Sequence, residues 1–276
     1  MKFSEELITS RQNRIVVDAV KLSDKKGRES VGMFRFDGVK LFEEAVKKGV
    51  VIKKILVSEG KLDRLSSRIK ACESGLSETV IYTVSDELFN KISEENSPEG
   101  LICVAQYPDK HVKKATKDDF FDTASDKTKR VVLLESVRDP GNMGTIIRSA
   151  AAFGVDALAI SSDCADIYNP KTVRGAMGAL FKMNVYVFDD IKTAVSALVD
   201  SGRKVYAAAL DKTAVRLDEV ELSAGDAVII GNEGHGLSQE TIEACTRSLY
   251  IPMEEGSESL NAAIAASVIM WNMYSK

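Results

Sequence analysis

From about residue 131 to the C-terminus, short runs of β-branched and apolar residues alternate with longer helical stretches, and no other feature of the chain restricts its fold as much. Strands are expected at 131–137, 157–160, 185–188, 205–209, 227–230 and 249–251, with helices between and after them at 143–153, 170–180, 191–200, 239–245 and from Leu260 to about Tyr274. Strand and helix in turn imply a parallel sheet covered on both faces, because each parallel crossover is long enough to hold a helix. Ligands of such sheets bind beyond the carboxyl ends of the strands, so those loops are where chemistry is sought.

Upstream, apolar runs at 31–36, 51–57, 80–84 and 101–105 read as strands, and amphipathic stretches at 39–48 and 86–92 as helices. They describe a smaller α/β domain over residues 1–107. Residues 108–129 are rich in Lys, Asp, Thr and Ser and lack a strong apolar period, which reads as a linker with a short helix around 118–121. The second domain is then 130–276. With 276 residues, 45% of them hydrophobic, the chain can bury two cores without disulfide or metal staples.

Several function classes are disfavoured. Cys72, Cys103, Cys164 and Cys245 show no CxxC spacing, and with only His111 and His235 beside them a metal site is not expected. The apolar stretch 262–271 is far short of the roughly 20 residues a membrane-spanning helix needs. Acidic residues occupy the start of the chain where a secretory signal would be apolar, so a soluble, cytoplasmic protein is expected. No GxGxxG follows a strand, which removes the dinucleotide-binding oxidoreductases. Net charge is −4, yet it is uneven: residues 1–130 carry 25 Lys/Arg against 22 Asp/Glu, and residues 131–276 carry 12 against 19. The basic share is N-terminal, as an anionic partner there would require, although solvated surfaces show similar biases.

Three loops at expected strand ends combine glycine with short polar side chains. In Asp139-Pro-Gly-Asn-Met-Gly-Thr-Ile-Ile-Arg148 a tight turn opens a helix, and Asn142 either caps it or faces a ligand. Taken alone, this segment also fits an ordinary capped turn with an exposed Arg148. In Ile229-Ile-Gly-Asn-Glu-Gly-His-Gly-Leu-Ser238 three glycines suit close approach of a ligand to the main chain, with Glu233 among them and His235 as an exposed loop residue. In Ile251-Pro-Met-Glu-Glu-Gly-Ser-Glu-Ser-Leu-Asn261, Ser259 and Asn261 stand at a helix entry. Three such loops in one domain describe a shared pocket better than three unrelated turns.

The segments DPGNMGTIIRSAAAFG, NPKTVRGAMGALFKM, IIGNEGHGLS and IPMEEGSESLNAAIA resemble, in order and spacing, the motifs of the SpoU/TrmH family of SPOUT RNA methyltransferases. ITSRQNRIV, FRFDGVKLFEEAV and SPEGLICVAQ resemble the L30e-like substrate-binding domain found in that family, with Asp37-Gly38 where a Glu-Gly pair is usual. The resemblance implies an α/β catalytic domain with a deep trefoil knot, behind an RNA-binding module. It implies S-adenosylmethionine as methyl donor, held by Gly231, Asn232, Glu233, Gly234, Ile251, Leu260 and Asn261. Asn142, Arg148, Glu233, Ser259 and Asn261 would serve catalysis on a ribose 2′-hydroxyl, and the partners implied are RNA, most naturally ribosomal, and a second copy of the chain. A tRNA substrate, or a non-catalytic RNA-binding protein of the same fold, is the alternative. Guanidinium stays protonated at ordinary pH, so Arg148 is expected to grip phosphate or hydroxyl rather than act as a simple base.

Overall fold

In the computed structural model residues 1–108, 112–211, 214–254 and 259–275 are described. His111 and Glu255, Gly256, Ser257 and Glu258 of the third loop lie outside them. The chain divides into two units, one formed by Met1–Pro108 with Asp166–Lys182, the other by Asp109–Ala165 with Met183–Lys276.

The first unit runs β1 (Lys2–Ile8), α1 (Arg14–Lys21), α2 (Lys25–Val31), β2 (Met33–Asp37), α3 (Val39–Lys47), β3 (Ile52–Ser58), α4 (Leu62–Ala71), β4 (Val80–Val84), α5 (Asp86–Ile92) and β5 (Leu101–Gln106). Its sheet has the order β1-β4-β3-β5-β2, with β1, β4 and β3 parallel and β5 antiparallel to both neighbours. Apolar residues at helical spacing drive the packing: Val16 and Ala19 of α1 and Leu88, Phe89 and Ile92 of α5 share a core with Leu56, Ile102 and Val104 of the sheet. Asp37, the departure from the usual glutamate, is structural. It pairs with buried Arg35 at 2.9 Å and accepts hydrogen bonds from Ser93 Oγ and Glu94 N.

The second unit begins with β6 (Val112–Lys114) and α6 (Lys117–Ser125) and continues through β7 (Val131–Leu134), α7 (Pro140–Ala152) and β8 (Ala157–Ser161). After α8 (Pro170–Ala176), which belongs to the first unit, come β9 (Asn184–Phe188), α9 (Lys192–Asp200), β10 (Val205–Ala208), β11 (Val215–Arg216), β12 (Ala227–Ile230), α10 (Gln239–Ala244), β13 (Arg247–Tyr250) and α11 (Ala262–Ser275). The expected parallel sheet is present: all neighbours in the order β11-β13-β10-β12-β7-β8-β9-β6 run parallel. Every residue of β7, β8 and β12 is buried, as a strand covered on both faces demands.

Of the segments that differ from the sequence expectation, two bear on the domain layout. Residues 108–129 do not behave as a free linker where they are described. β6 pairs with β9 at the sheet edge, and α6 starts in a capping box of Thr116 and Asp119. It buries Phe120 against Tyr186 and Phe188, an anchor too short to show as an apolar period. The buried Arg203 then fastens the following turn by donating to the carbonyls of Thr123, Asp126 and Lys129. The other difference lies between β8 and β9. There the chain leaves the parallel sheet and packs into the first unit, where Arg28 donates from Nη2 to Asp166 Oδ2 at 2.6 Å and Phe36 meets Phe181. The helix expected over 170–180 stops at Ala176 because Met177 and Gly178 are both left-handed, and a 3₁₀ turn covers Ala179–Phe181.

Among the described residues no group of three His, Cys, Asp or Glu is placed to hold a metal ion, and no helix is long and apolar enough to cross a membrane.

Candidate active site

The three loops meet through side chains. After β7 the chain turns at Ser136, a non-glycine residue held at φ 55 by its N–H donating to Ser161 Oγ at 2.8 Å. Asp139 caps α7, accepting from Asn142 N at 2.8 Å, so Asn142 is left free of capping and turns its amide outward. Its Nδ2 donates to Glu233 Oε1 at 2.5 Å, and its Oδ1 accepts from Asn261 Nδ2 at 2.9 Å. Asn261 in turn accepts from Ala263 N and Ile264 N and so caps α11. One relay, Asn261 to Asn142 to Glu233, thus joins segments 91 and 119 residues apart.

The glycine loop after β12 is fixed from within. Asn232 and Gly236 form a two-way backbone bridge, Asn232 Oδ1 accepts from Gly234 N and His235 N, and Asn232 Nδ2 donates to the Ser136 carbonyl at 2.8 Å. Gly231 is required by this closure, since a Cβ there would lie 2.4 Å from the Gly236 carbonyl carbon. Glu135 secures the far end by accepting from Ser238 N, Ser238 Oγ and Thr241 Oγ1. Sequence reasoning missed Glu135 and Ser136. Their only signal is that they follow a buried strand, and their partners lie roughly a hundred positions away.

A cavity of about 390 Å³ opens where the carboxyl ends of β10, β12 and β13 face the start of α11. Gly231, Asn232, Glu233, Gly234, Ile251, Leu260 and Ser259 line it, and Ala209, Leu210, Leu249 and Ile269 supply apolar wall. Those apolar positions could not be told from core residues in the sequence. Asn142 and Asn261 are not among the lining residues and reach the site through Glu233. Arg148 stands apart. Six residues beyond Asn142, it projects roughly 120° around α7 from it, is exposed, and makes no hydrogen bond or ion pair with another described residue.

Beside the loops, burial acts to raise the pKa of the Asp163 carboxyl, but hydrogen bonds from Ser136, Ser161 and Arg138 outweigh it and hold the group below the ordinary carboxylate value. Burial, reinforced by Glu135, pushes the Cys245 thiol up to about 12, so it is a neutral packing group and no nucleophile. The arrangement can hold one small, partly apolar ligand against main-chain groups, with a carboxylate and two carboxamides at one edge.

The family model described as the SpoU rRNA Methylase family matches residues 129–271, and that of the MRM3-like substrate binding domain matches residues 13–103. The 23S rRNA (guanosine(2553)-2′-O)-methyltransferase RlmP of Bacillus subtilis is 34% identical over 96% of this chain and 98% of its own length. The 23S rRNA (uridine(2479)-2′-O)-methyltransferase of Streptomyces viridochromogenes is 27% identical over 96% of this chain and 90% of its own. Among solved structures, the AdoMet-bound rRNA methyltransferase of Sinorhizobium meliloti superposes with a TM-score of 0.79 at 25% identity, covering 97% of this chain and 96% of that one. The SpoU methyltransferase AviRb from Streptomyces viridochromogenes, in complex with AdoMet, gives 0.76 at 25% identity over 95% and 97%.

Proposed function

This chain belongs to the SpoU rRNA methylase family, and from that premise we propose that it transfers a methyl group from S-adenosylmethionine to a ribose 2′-hydroxyl of ribosomal RNA. The carrying observation is the Asn261–Asn142–Glu233 relay set at the edge of a glycine-lined cavity. The cavity fits the donor: apolar walls suit its adenine, main chain opened by Gly231 and Gly234 suits close hydrogen bonding, and the Glu233 carboxylate suits a neighbouring sulfonium cation. When bound, S-adenosylmethionine supplies an electrophilic methyl carbon.

What this chain's residues contribute is placement. Asn142 is held at both ends of its amide, so its position is set before substrate arrives, and Glu233 is oriented by it. Ser259 and Asn261 complete the edge where the ribose would sit. Placing a weak nucleophile in line is worth roughly 7–11 kcal/mol, against about 10²–10⁴ in rate for proton removal, so orientation dominates. Arg148 serves as an exposed cation for the phosphate or hydroxyl of the target nucleotide. The knotted path of the C-terminal segment and a cytoplasmic site of action belong to the same reading.

The outer face of the second unit supports a homodimer. α7 and α11 lie side by side, joined through Ser149 and Ser267, and each buries one face. Away from that buried face α11 exposes Ile264, Val268 and Trp271 at 53%, 38% and 56%, a stripe at helical spacing. We take this stripe as the subunit contact. Light scattering at micromolar concentration should return twice the 30.1 kDa chain mass, and Trp271→Glu should return one.

The test of function is labelled methyl transfer from S-adenosylmethionine to ribosomal RNA, with tRNA in parallel, followed by mass-spectrometric mapping of 2′-O-methylated nucleotides in cells with and without the protein. Absence of any protein-dependent ribose methyl group would defeat the proposal.

A further inference from the structure

Among the described residues only Ser136 and Met177 combine a side chain with a positive φ. Met177 closes the C-terminus of α8, whereas Ser136, at φ 55, makes the turn that carries the chain out of β7 toward the cap of α7. A Cβ in the left-handed region crowds the following carbonyl, so a residue other than glycine stays there only when its surroundings hold it.

The holder is Asp163, in the turn after β8. Its Oδ2 accepts from Ser136 Oγ at 2.6 Å and from Arg138 Nη2 at 3.1 Å, and its Oδ1 accepts from Ser161 Oγ at 2.6 Å. That last bond commits the Ser161 proton, so Ser161 Oγ is free to accept from Ser136 N at 2.8 Å. One carboxylate thus reaches the side chain of Ser136 directly and its amide through Ser161. Ala165 N, donating to the Val137 carbonyl at 2.8 Å, keeps the two turns side by side. With its pKa held below the ordinary value despite burial, Asp163 is ionised at neutral pH and can accept from all three donors at once.

The turn matters because of where its carbonyl goes. Ser136 O accepts from Asn232 Nδ2 at 2.8 Å, and the other end of that amide, Asn232 Oδ1, accepts from Gly234 N and His235 N, the two amides that follow Glu233. We propose that Asp163 is a positioning residue for methyl transfer: it holds Ser136 left-handed and, through the Ser136 carbonyl and Asn232, sets the place of Glu233 at the cavity edge. Asp163 does not itself line the donor cavity. The inference rests on the reading of this protein as an RNA methyltransferase.

Glycine takes positive φ about as readily as negative, so Ser136→Gly makes the turn independent of its holder and supplies the test. In the full chain, with saturating S-adenosylmethionine and transcribed 23S rRNA as acceptor, Asp163→Ala should lower kcat about tenfold, the loss expected when a left-handed residue goes unsupported, and leave KM for rRNA unchanged. Adding Ser136→Gly to that variant should restore most of the rate. Asp163→Asn, which keeps the shape and one accepting oxygen, should lose less and be restored in the same way; it carries the comparison if circular dichroism shows Asp163→Ala unfolded. A wild-type rate in the Asp163 variants, or a loss of kcat that Ser136→Gly leaves in place, overturns the assignment with the enzyme reading intact. Absence of any methyl transfer by the wild-type protein removes the enzyme reading and this inference with it.

Discussion

The two cavities of this protein are built from different material. In the second unit the walls are main chain and short side chains, and each loop is tied to another: Asn232 to Ser136, Asn142 to Glu233, Ser238 to Glu135. The first unit has a cavity of about 350 Å³ between the start of α3, the face of α4 and the turn at 97–99. There the walls are the ends of Lys61, Arg64 and Arg68, long side chains of which Arg64, with no hydrogen bond or ion pair to another described residue, loses rotamer freedom only when something binds. A site that accepts one small molecule of one shape gains from being rigid before binding, whereas a site that tracks a phosphodiester gains from charge and reach. Rigid and adaptable recognition are thus separated between the units, and substitutions should tell them apart.

The largest effect is expected where backbone meets backbone. Gly231→Ala places a Cβ 2.4 Å from the Gly236 carbonyl carbon and 2.6 Å from Leu237 N, and neither can swing aside as a side chain would. Displacing the loop should take S-adenosylmethionine binding down by about 10²-fold or more, since overpacking of this kind costs about 1–3 kcal/mol before any lost ligand contact is counted. Calorimetric titration measures it, with rRNA affinity as the internal control. Wild-type cofactor affinity in this variant would place the donor elsewhere.

Next in size is Asn142→Ala. Asn142 touches Glu233 and Asn261 but does not line the cavity, so the donor's Kd should change little while kcat falls about 10²-fold, the usual loss for one positioned polar group at a reacting centre. A variant that loses donor binding and keeps its rate per bound donor would reverse the roles assigned here.

How much of this was legible depends on whether a residue's partner is near in sequence. Ala227–Ile230 reads as a strand with the bounds the structure has, because four consecutive apolar residues are all buried. Lys2–Ile8 escaped notice, since as an edge strand it buries Ile8 alone and its Lys and Glu residues hide the pattern. α4 escaped for a related reason, having only Leu65 and Ile69 buried among charged residues, and the cationic cavity went with it. At the active site the residue types of Asn142, Glu233 and Asn261 were readable from their loops. Their mutual hydrogen bonds were not, because those span 91 and 119 residues. Arg148 fell between the two cases: an exposed Arg148 was one of the readings its segment allowed, and helix geometry then turns it away from Asn142.

The smallest effect sharpens the comparison most, because the same chemical change should act with opposite sign on the two cavities. Glu135 in the second unit and Glu99 in the first are both carboxylates that accept from backbone amides, Ser238 N at 3.1 Å and Val39 N at 2.6 Å. Glu135 also accepts from Ser238 Oγ and Thr241 Oγ1, each at 2.9 Å, so it holds the end of the glycine loop in its binding shape. Both hydroxyls donate to Oε1 and Ser238 N to Oε2, so an amide that keeps its oxygen toward the hydroxyls presents an NH₂ to the Ser238 N–H, itself a donor. Glu135→Gln should therefore loosen the loop and weaken donor binding by about fivefold, the worth of about one ordinary hydrogen bond. Glu99 supports no such loop and instead stands beside Lys61, Arg64 and Arg68 as a rival to RNA phosphate, so its amide variant should bind RNA more tightly. Measured side by side, cofactor affinity for one variant and RNA affinity for the other should move in opposite directions; movement in the same direction would show that both carboxylates are simply structural, and the contrast between the cavities would be lost.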